Sequence, residues 1–405
     1  MTSKYSFFLP LTIIFLCFFD ASSKFIFIAP VEWFFFVCLF FLMYCKIDFS
    51  GVVVFLFVIF FIISLISCLV NIQSYQGFEG FERWFGQYGF RVLIVFLFFL
   101  LYFSGFFDKN DVVFSFFVVN FFVAFIGVAL IVWSGDIYFF RNGIYKMDDR
   151  GWLLLTSYFN PNSISRFLLF GLPFSILYSF RKNFILAVFL FLLNMIVLYS
   201  ASSRMAILSL FMSLFLLIFL LDVKRSYKVL LFLTLFLLIG AFFGEAYERF
   251  EKKYNQIQES GTSIRIAMFD ATVKAVNERP LFGYGPGNAK VVVNSDSEFI
   301  DVYNYFFPNN EHQIALHNTS MLIAIDLGLL GVFIYNFIFI FLGFFLFRAF
   351  KLSNDFLYLA VFFSLIFVAF MGLTSVIIGE NLTWVVLGFS LCCIKFRSRE
   401  NFHEL

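Results

Sequence analysis

The chain has 405 residues, of which 62% are apolar and only 13% charged, and Phe alone accounts for 72. A soluble domain carries about 45–50% apolar and roughly 25% charged residues, so a water-soluble globule is excluded. The formal net charge of +2 is too small to suggest nucleic acid as a partner.

The apolar residues fall in long continuous runs, which read as membrane-spanning helices. They do not alternate with polar residues, which argues against a β-barrel. Phe favours strands in water, but in lipid the backbone must satisfy its own hydrogen bonds, so these runs are expected to be helical. The opening stretch, one Lys followed by a short apolar run and small residues, resembles a signal peptide. It is read here as a retained first helix.

Twelve spans are expected, at 7–19, 25–44, 52–70, 92–106, 112–133, 163–180, 184–199, 205–221, 229–243, 319–347, 356–378 and 382–394. With both termini cytoplasmic, the segments assigned to that side carry thirteen Lys and Arg, against seven in the short outer loops. The positive-inside rule favours this orientation. The chain then divides into a first set of nine helices (1–243), a large periplasmic loop (244–318), and three last helices with a cytoplasmic tail (319–405). The six cysteines lie in or beside apolar runs and none in the long loop, which argues against a disulfide framework there.

Two shorter outer segments stand out. Asn71 to Arg91 mixes aromatics with glycines, as an interfacial segment would. Asn160-Pro161-Asn162 is a turn that starts the next helix, and Arg166 follows within it.

The long loop carries its own helical pattern. Thr262 or Ser263 can cap a helix that Pro280 terminates. Ile264, Ala267, Met268, Ala271 and Ala275 form its apolar stripe, with Arg265 and Thr272 on a neighbouring face. Leu281 to Ala289, LFGYGPGNA, reads as a tight, backbone-exposed turn. It has neither the GK[ST] of a P-loop nor the strand setting of GxGxxG. The remainder, to Glu311, is expected to be irregular.

Several residues are candidates for chemistry. His317 sits where the loop re-enters the membrane; a neutral imidazole there could accept a proton from a sugar hydroxyl, or simply bond the helix end. Asn318 beside it can cap the new helix or bind a ligand. Arg204 stands alone at a helix end, suited either to phosphate or to snorkelling at the interface. Arg265 is either a solvated surface residue or a ligand contact, and Arg279 and Lys290 flank the glycine turn. Asp326 lies within the re-entering apolar run, nine residues from His317. On a continuous helix that spacing puts the two on opposite faces, which favours a structural hydrogen bond over an acid–base pair. Glu311, His312 and His317 lack the spacing of a zinc site, so no metal is expected.

Taken together, SSR at a helix end, SIRIAMFDATVKAVNERPLFGYGPGNA in a long loop, then HN, nine residues and GLLG resemble the O-antigen ligase and O-antigen polymerase superfamily. The resemblance is strongest from Arg204 to Gly331. It implies an all-α polytopic membrane glycosyltransferase of the GT-C type, acting without metal or other cofactor and inverting the anomeric carbon. Its donor would be a glycan on undecaprenyl diphosphate at the periplasmic face of the bacterial inner membrane. The acceptor would be lipid A-core for a ligase, or a lipid-linked repeat unit for a polymerase. By motif position Arg204 and Arg265 would bind the diphosphate and His317 would be the catalytic base. Asn318, Arg279, Arg166 and Asn162 would support them. A chain-length regulator or a second copy of the chain are the further partners implied. HN-x9-GLLG has ligase spacing, whereas ten acids against seven bases between Gly244 and Leu316 do not suit an anionic lipid A-core acceptor. Protein-directed transfer and lipid-glycan transport are the remaining readings. Transport predicts repeated halves and central charges that this sequence does not show.

Overall fold

The computed structural model describes residues 7–19, 52–75, 79–135, 161–201, 204–220, 264–306, 316, 318–373, 375–378 and 380–400. Among them there is no strand. The helices are α1 (Phe8–Phe19), α2 (Val52–Val70), α3 (Glu79–Trp84), α4 (Phe90–Phe103), α5 (Lys109–Ser134), α6 (Pro161–Lys182) and α7 (Phe184–Ala201). They continue with α8 (Arg204–Leu220), α9 (Ile264–Glu278), α10 (Ala289–Val293), α11 (Ser297–Phe306), α12 (Thr319–Ser353), α13 (Phe356–Gly372) and α14 (Asn381–Glu400). Four stretches among the described residues are long and apolar enough to cross a bilayer: Glu79–Phe103, Lys109–Ser134, Phe184–Ala201 and Thr319–Ser353. With them stand shorter apolar helices such as Phe356–Gly372, and together they make this a multi-pass membrane protein. The expected spans 25–44 and 229–243 lie outside the described residues.

The helices pack as a bundle in which α6 touches α5, α7 and α13, and α12 packs along α2, α13 and α14. Because lipid is as apolar as the side chains, hydrogen bonds and close packing hold such helices together. Buried polar residues supply the bonds here. Asn194 of α7 donates to Asn120 Oδ1 of α5 (3.1 Å), and Asn120 donates to the Leu168 carbonyl of α6 (3.1 Å). Ser364 of α13 donates to the Phe170 carbonyl of α6 (2.8 Å).

One span differs from the sequence reading. The aromatic and glycine-containing segment before Arg91, expected as an outer interfacial stretch, is already helical from Glu79. α3 runs through a π-helical turn, Phe85–Gly89, straight into α4, so that Arg91 is buried within one continuous helical run. The charges and glycines that interrupt the hydropathy pattern here are accommodated by contacts with distant segments.

The long loop has a small core of its own. Ala267, Met268, Ala271 and Ala275 of α9 pack with Ala289, Val293, Phe299, Leu316 and Ile325. The apolar stripe expected for α9 is therefore the buried one. Thr272 is buried with it, its hydroxyl donating to the Met268 carbonyl (2.8 Å). It does not share an open face with Arg265, which is exposed. The stretch beyond the glycine turn is not irregular, since it forms α10 and α11.

Candidate functional site

The geometry turns on a break in α12. At Gly328 the backbone leaves the helix (φ 73°, ψ −174°), and a Cβ there would come within 2.3 Å of the Leu281 carbonyl oxygen. Only glycine takes this conformation without strain. The break frees carbonyls from the helical ladder, and the glycine turn supplies donors to them. Tyr284 N–H donates to the Ile325 carbonyl (2.7 Å) and Gly285 N–H to the Asp326 carbonyl (3.0 Å). Leu329 N–H in turn donates to the Pro280 carbonyl (2.8 Å).

Asp326 completes the joint. Its carboxylate is fully buried and accepts from the backbone N–H of Gly287 (3.0 Å) and Ala289 (2.9 Å), from Gln87 Nε2 (3.0 Å) and from the Tyr88 hydroxyl (2.9 Å). A buried carboxylate is costly unless its lone pairs are filled, and here four donors fill them. Asp326 is therefore occupied as a structural acceptor, as its spacing from His317 suggests.

The other side of the turn is held by the α2–α3 region. The Ser67 hydroxyl lies 2.6 Å from the Phe282 carbonyl and 2.7 Å from that of Asp326, and can donate to one at a time. Asn71 Nδ2 donates to the Gly283 carbonyl (3.2 Å) and the Tyr75 hydroxyl to that of Pro286 (2.9 Å). Burial pushes the Tyr75 phenol up from its ordinary range, so it stays a donor. Arg83 reaches the Gly287 carbonyl (3.1 Å) and Asn288 Oδ1 (3.2 Å). The turn is thus largely buried, contrary to the expected backbone-exposed turn, because its N–H and C=O groups are consumed by this clamp.

The candidate residues can now be placed. Asn318 caps α12: its Oδ1 accepts from Met321 N–H (3.0 Å) while its Nδ2 donates to the Leu373 carbonyl (2.8 Å). Next to it Thr319 donates to the Ser375 carbonyl (2.8 Å) and accepts from Ile377 N–H (3.0 Å). The start of α12 is therefore tied to the 373–380 connection. Arg265 is one residue into α9, which packs on the first turns of α12. Arg279 is exposed beside the glycine turn. It donates to Asn71 Oδ1 (2.6 Å) and lies over the Tyr284 ring, 4.5 Å from its centroid. The Tyr284 hydroxyl is bonded to Glu278, and its pKa is pushed up to about 12 by burial and by that carboxylate. Arg204 opens α8, but its side chain, that of Asn162, and His317 altogether lie outside the described residues.

Arg166 is brought into a cluster that the sequence did not reveal. It pairs with Glu380 at 2.7 Å. Burial pushes the Glu380 carboxyl up from its ordinary value, and Arg166 and Arg91 beside it oppose the rise. Two guanidiniums thus share one carboxylate at the end of the connection that also holds Asn318 and Thr319. The three residues are separated by scores of positions, and only the fold joins them. The isolated Arg91 and Glu380 in otherwise apolar surroundings were the one available signal.

A family model described as O-antigen ligase matches residues 187–336, a stretch that contains Arg204, Arg265, the glycine turn, His317, Asp326 and the break at Gly328. No curated protein matches the chain. Over residues 187–336 the chain is therefore similar to the O-antigen ligase family, which supports the resemblance to the O-antigen ligase and O-antigen polymerase superfamily.

Proposed function

We propose that this protein is an O-antigen ligase. In this reading it moves O-polysaccharide from undecaprenyl diphosphate to lipid A-core at the periplasmic face of the inner membrane, as a GT-C-type transferase with twelve spans. The observation that carries the reading is the family match, which brackets every motif on which the resemblance rests. Arg204 and Arg265 would hold the departing diphosphate, since a guanidinium donates two parallel hydrogen bonds to a phosphate. His317 would take the proton from the acceptor hydroxyl. The chemistry requires that these groups keep fixed positions as charge develops on the leaving group. The clamp supports this: α9, which carries Arg265, and α12, which begins just after His317, are joined through Asp326 and the glycine turn.

A second reading, O-antigen polymerase, is favoured by the acidic balance between Gly244 and Leu316. Deletion of the gene followed by a lipopolysaccharide gel separates the two. Loss of a ligase leaves bare lipid A-core while lipid-linked polymer persists. Loss of a polymerase leaves core carrying a single repeat unit, and an unchanged ladder contradicts both. His317→Ala restored to the deletion strain is expected to reproduce the deletion phenotype at normal protein level, whereas a complementing His317→Ala would remove the histidine from the mechanism.

A further inference from the structure

The glycine turn and α9 fix the height of the loop relative to the bilayer. Below the break, α12 runs from Leu329 to the basic residues Arg348 and Lys351, which suit a membrane boundary. The nineteen helical steps from Leu329 to Arg348 rise about 29 Å, close to the ~30 Å of a hydrocarbon core. Leu329 therefore stands at the opposite edge of that core. Leu329, Phe333, Phe337, Ile340 and Phe344 are all exposed, and their spacing puts them on one face, the lipid face of α12.

Leu329 N–H is bonded to the Pro280 carbonyl, so the residue after Pro280 is at the same level. That residue, Leu281, is 64% exposed, as Phe333 is at 63%. The apolar surface of the membrane helix thus continues onto the loop. α9 ends two residues before Pro280 and packs against Ile325, one helical turn above Leu329. Its buried side is satisfied by the alanine stripe. Yet Ile266, Phe269 and Val273, spaced i, i+3 and i+7 on its other side, are exposed, the first two at 53%. Arg265 lies within a turn of Phe269 on that side. An apolar stripe bordered by Arg265 on one edge and the exposed Asp270 on the other, at the level of the headgroups, is the pattern of a helix lying in a bilayer interface. Irregular backbone at this depth is tolerated only when protein satisfies it, and the clamp on the glycine turn does so.

We propose that α9 lies in the bilayer interface, with Ile266, Phe269, Val273 and Leu281 against lipid chains and Arg265 at headgroup level. On the reading given above, a lipid-linked donor would reach Arg265 sideways within the leaflet and not from bulk solvent. The test uses single cysteines labelled with bimane at Phe269 and Val273, in a full-length chain whose own six cysteines are replaced, reconstituted in vesicles. Phe333→Cys serves as the lipid reference and the exposed Lys290→Cys as the aqueous one. Fluorescence loss at 269 and 273 is expected with phosphatidylcholine brominated near the headgroup, comparable with that at 333, and little loss with iodide. Iodide quenching like that at 290, without bromolipid quenching, overturns the proposal. So does protection from both quenchers that disappears on dilution to one chain per vesicle, which would place a second copy on this face. The measurement needs no substrate, so it can succeed while the transferase reading fails, and the reverse.

Discussion

Among the described glycines, Gly328 and Gly283 make the closest approach to the backbone of another segment. A Cβ on Gly283 would stand 2.3 Å from the Ile325 carbonyl oxygen, as one on Gly328 would from that of Leu281. Both glycines have positive φ. Gly328→Ala should cost ~1–3 kcal/mol in backbone strain alone, before the steric clash is counted. It is expected to lower the thermal midpoint in detergent markedly. Gly86→Ala is the control, because a Cβ there meets nothing within 4 Å, and removing a helical glycine is worth up to about 1 kcal/mol. Equal midpoints for the two variants would mean that the joint is not rigid. The sequence singled out these glycines as a motif, and Asp326 as structural from its spacing to His317. What it could not show was the partner of each, since the donors to Asp326 come from Gln87, Tyr88, Gly287 and Ala289, the first two more than two hundred residues away.

Among the elements, α9 was legible because its buried stripe follows the helical period and Pro280 stops it. Thr272 was misplaced because it lies at the margin of that stripe, and its hydroxyl can satisfy itself on the preceding turn. α11 was missed because its start depends on a side-chain cap more than on a strong apolar pattern. Asp296 Oδ1 accepts from Phe299 N–H (2.8 Å), and Lys274 of α9 bridges to Asp296 (3.1 Å) and Glu298 (2.7 Å). Burial alone would raise the Asp296 carboxyl, but the Phe299 amide and Lys274 outweigh it and hold the group below its ordinary range. A depressed carboxylate contributes stability above its unfolded pKa and loses it as pH falls through the folded one. The contribution of Asp296 is therefore complete at neutral pH and fades below about pH 4. Asp296→Ala should destabilise α11 by ~1 kcal/mol through the lost cap. Asp296→Asn, which keeps a capping oxygen, should differ from wild type at pH 6 and approach it as acid protonates the carboxyl below the ordinary carboxylate range. A difference that persists in acid would mean that the charge is not what Asp296 contributes.

At the scale of the whole molecule, composition alone revealed the membrane class, because continuous apolar runs have no other stable use in lipid. Boundaries were less legible where charge sits inside a span. Arg91 ended the hydropathy signal, yet it is buried in the helical run that begins at Glu79. Its place, like that of Arg166, depends on Glu380 at the far end of the chain, and no local pattern encodes a contact across more than two hundred residues. That contact joins α6 to the connection holding the start of α12, so it links the bundle to the re-entry point beside His317. A double-mutant cycle on Arg166→Gln and Glu380→Gln, read from thermal midpoints and unfolding enthalpies in detergent, tests the link. Each single variant leaves a charge in a desolvated place, and the double variant removes both. The two changes should therefore be non-additive, with a coupling above ~1 kcal/mol, in the range found for groups in direct contact. In Arg166→Gln the Arg91 charge still offsets Glu380, whereas Glu380→Gln leaves two guanidiniums beside each other, so Glu380→Gln is expected to be the more damaging single change. Additive effects would mean that the bundle and the re-entry point are held together by packing alone.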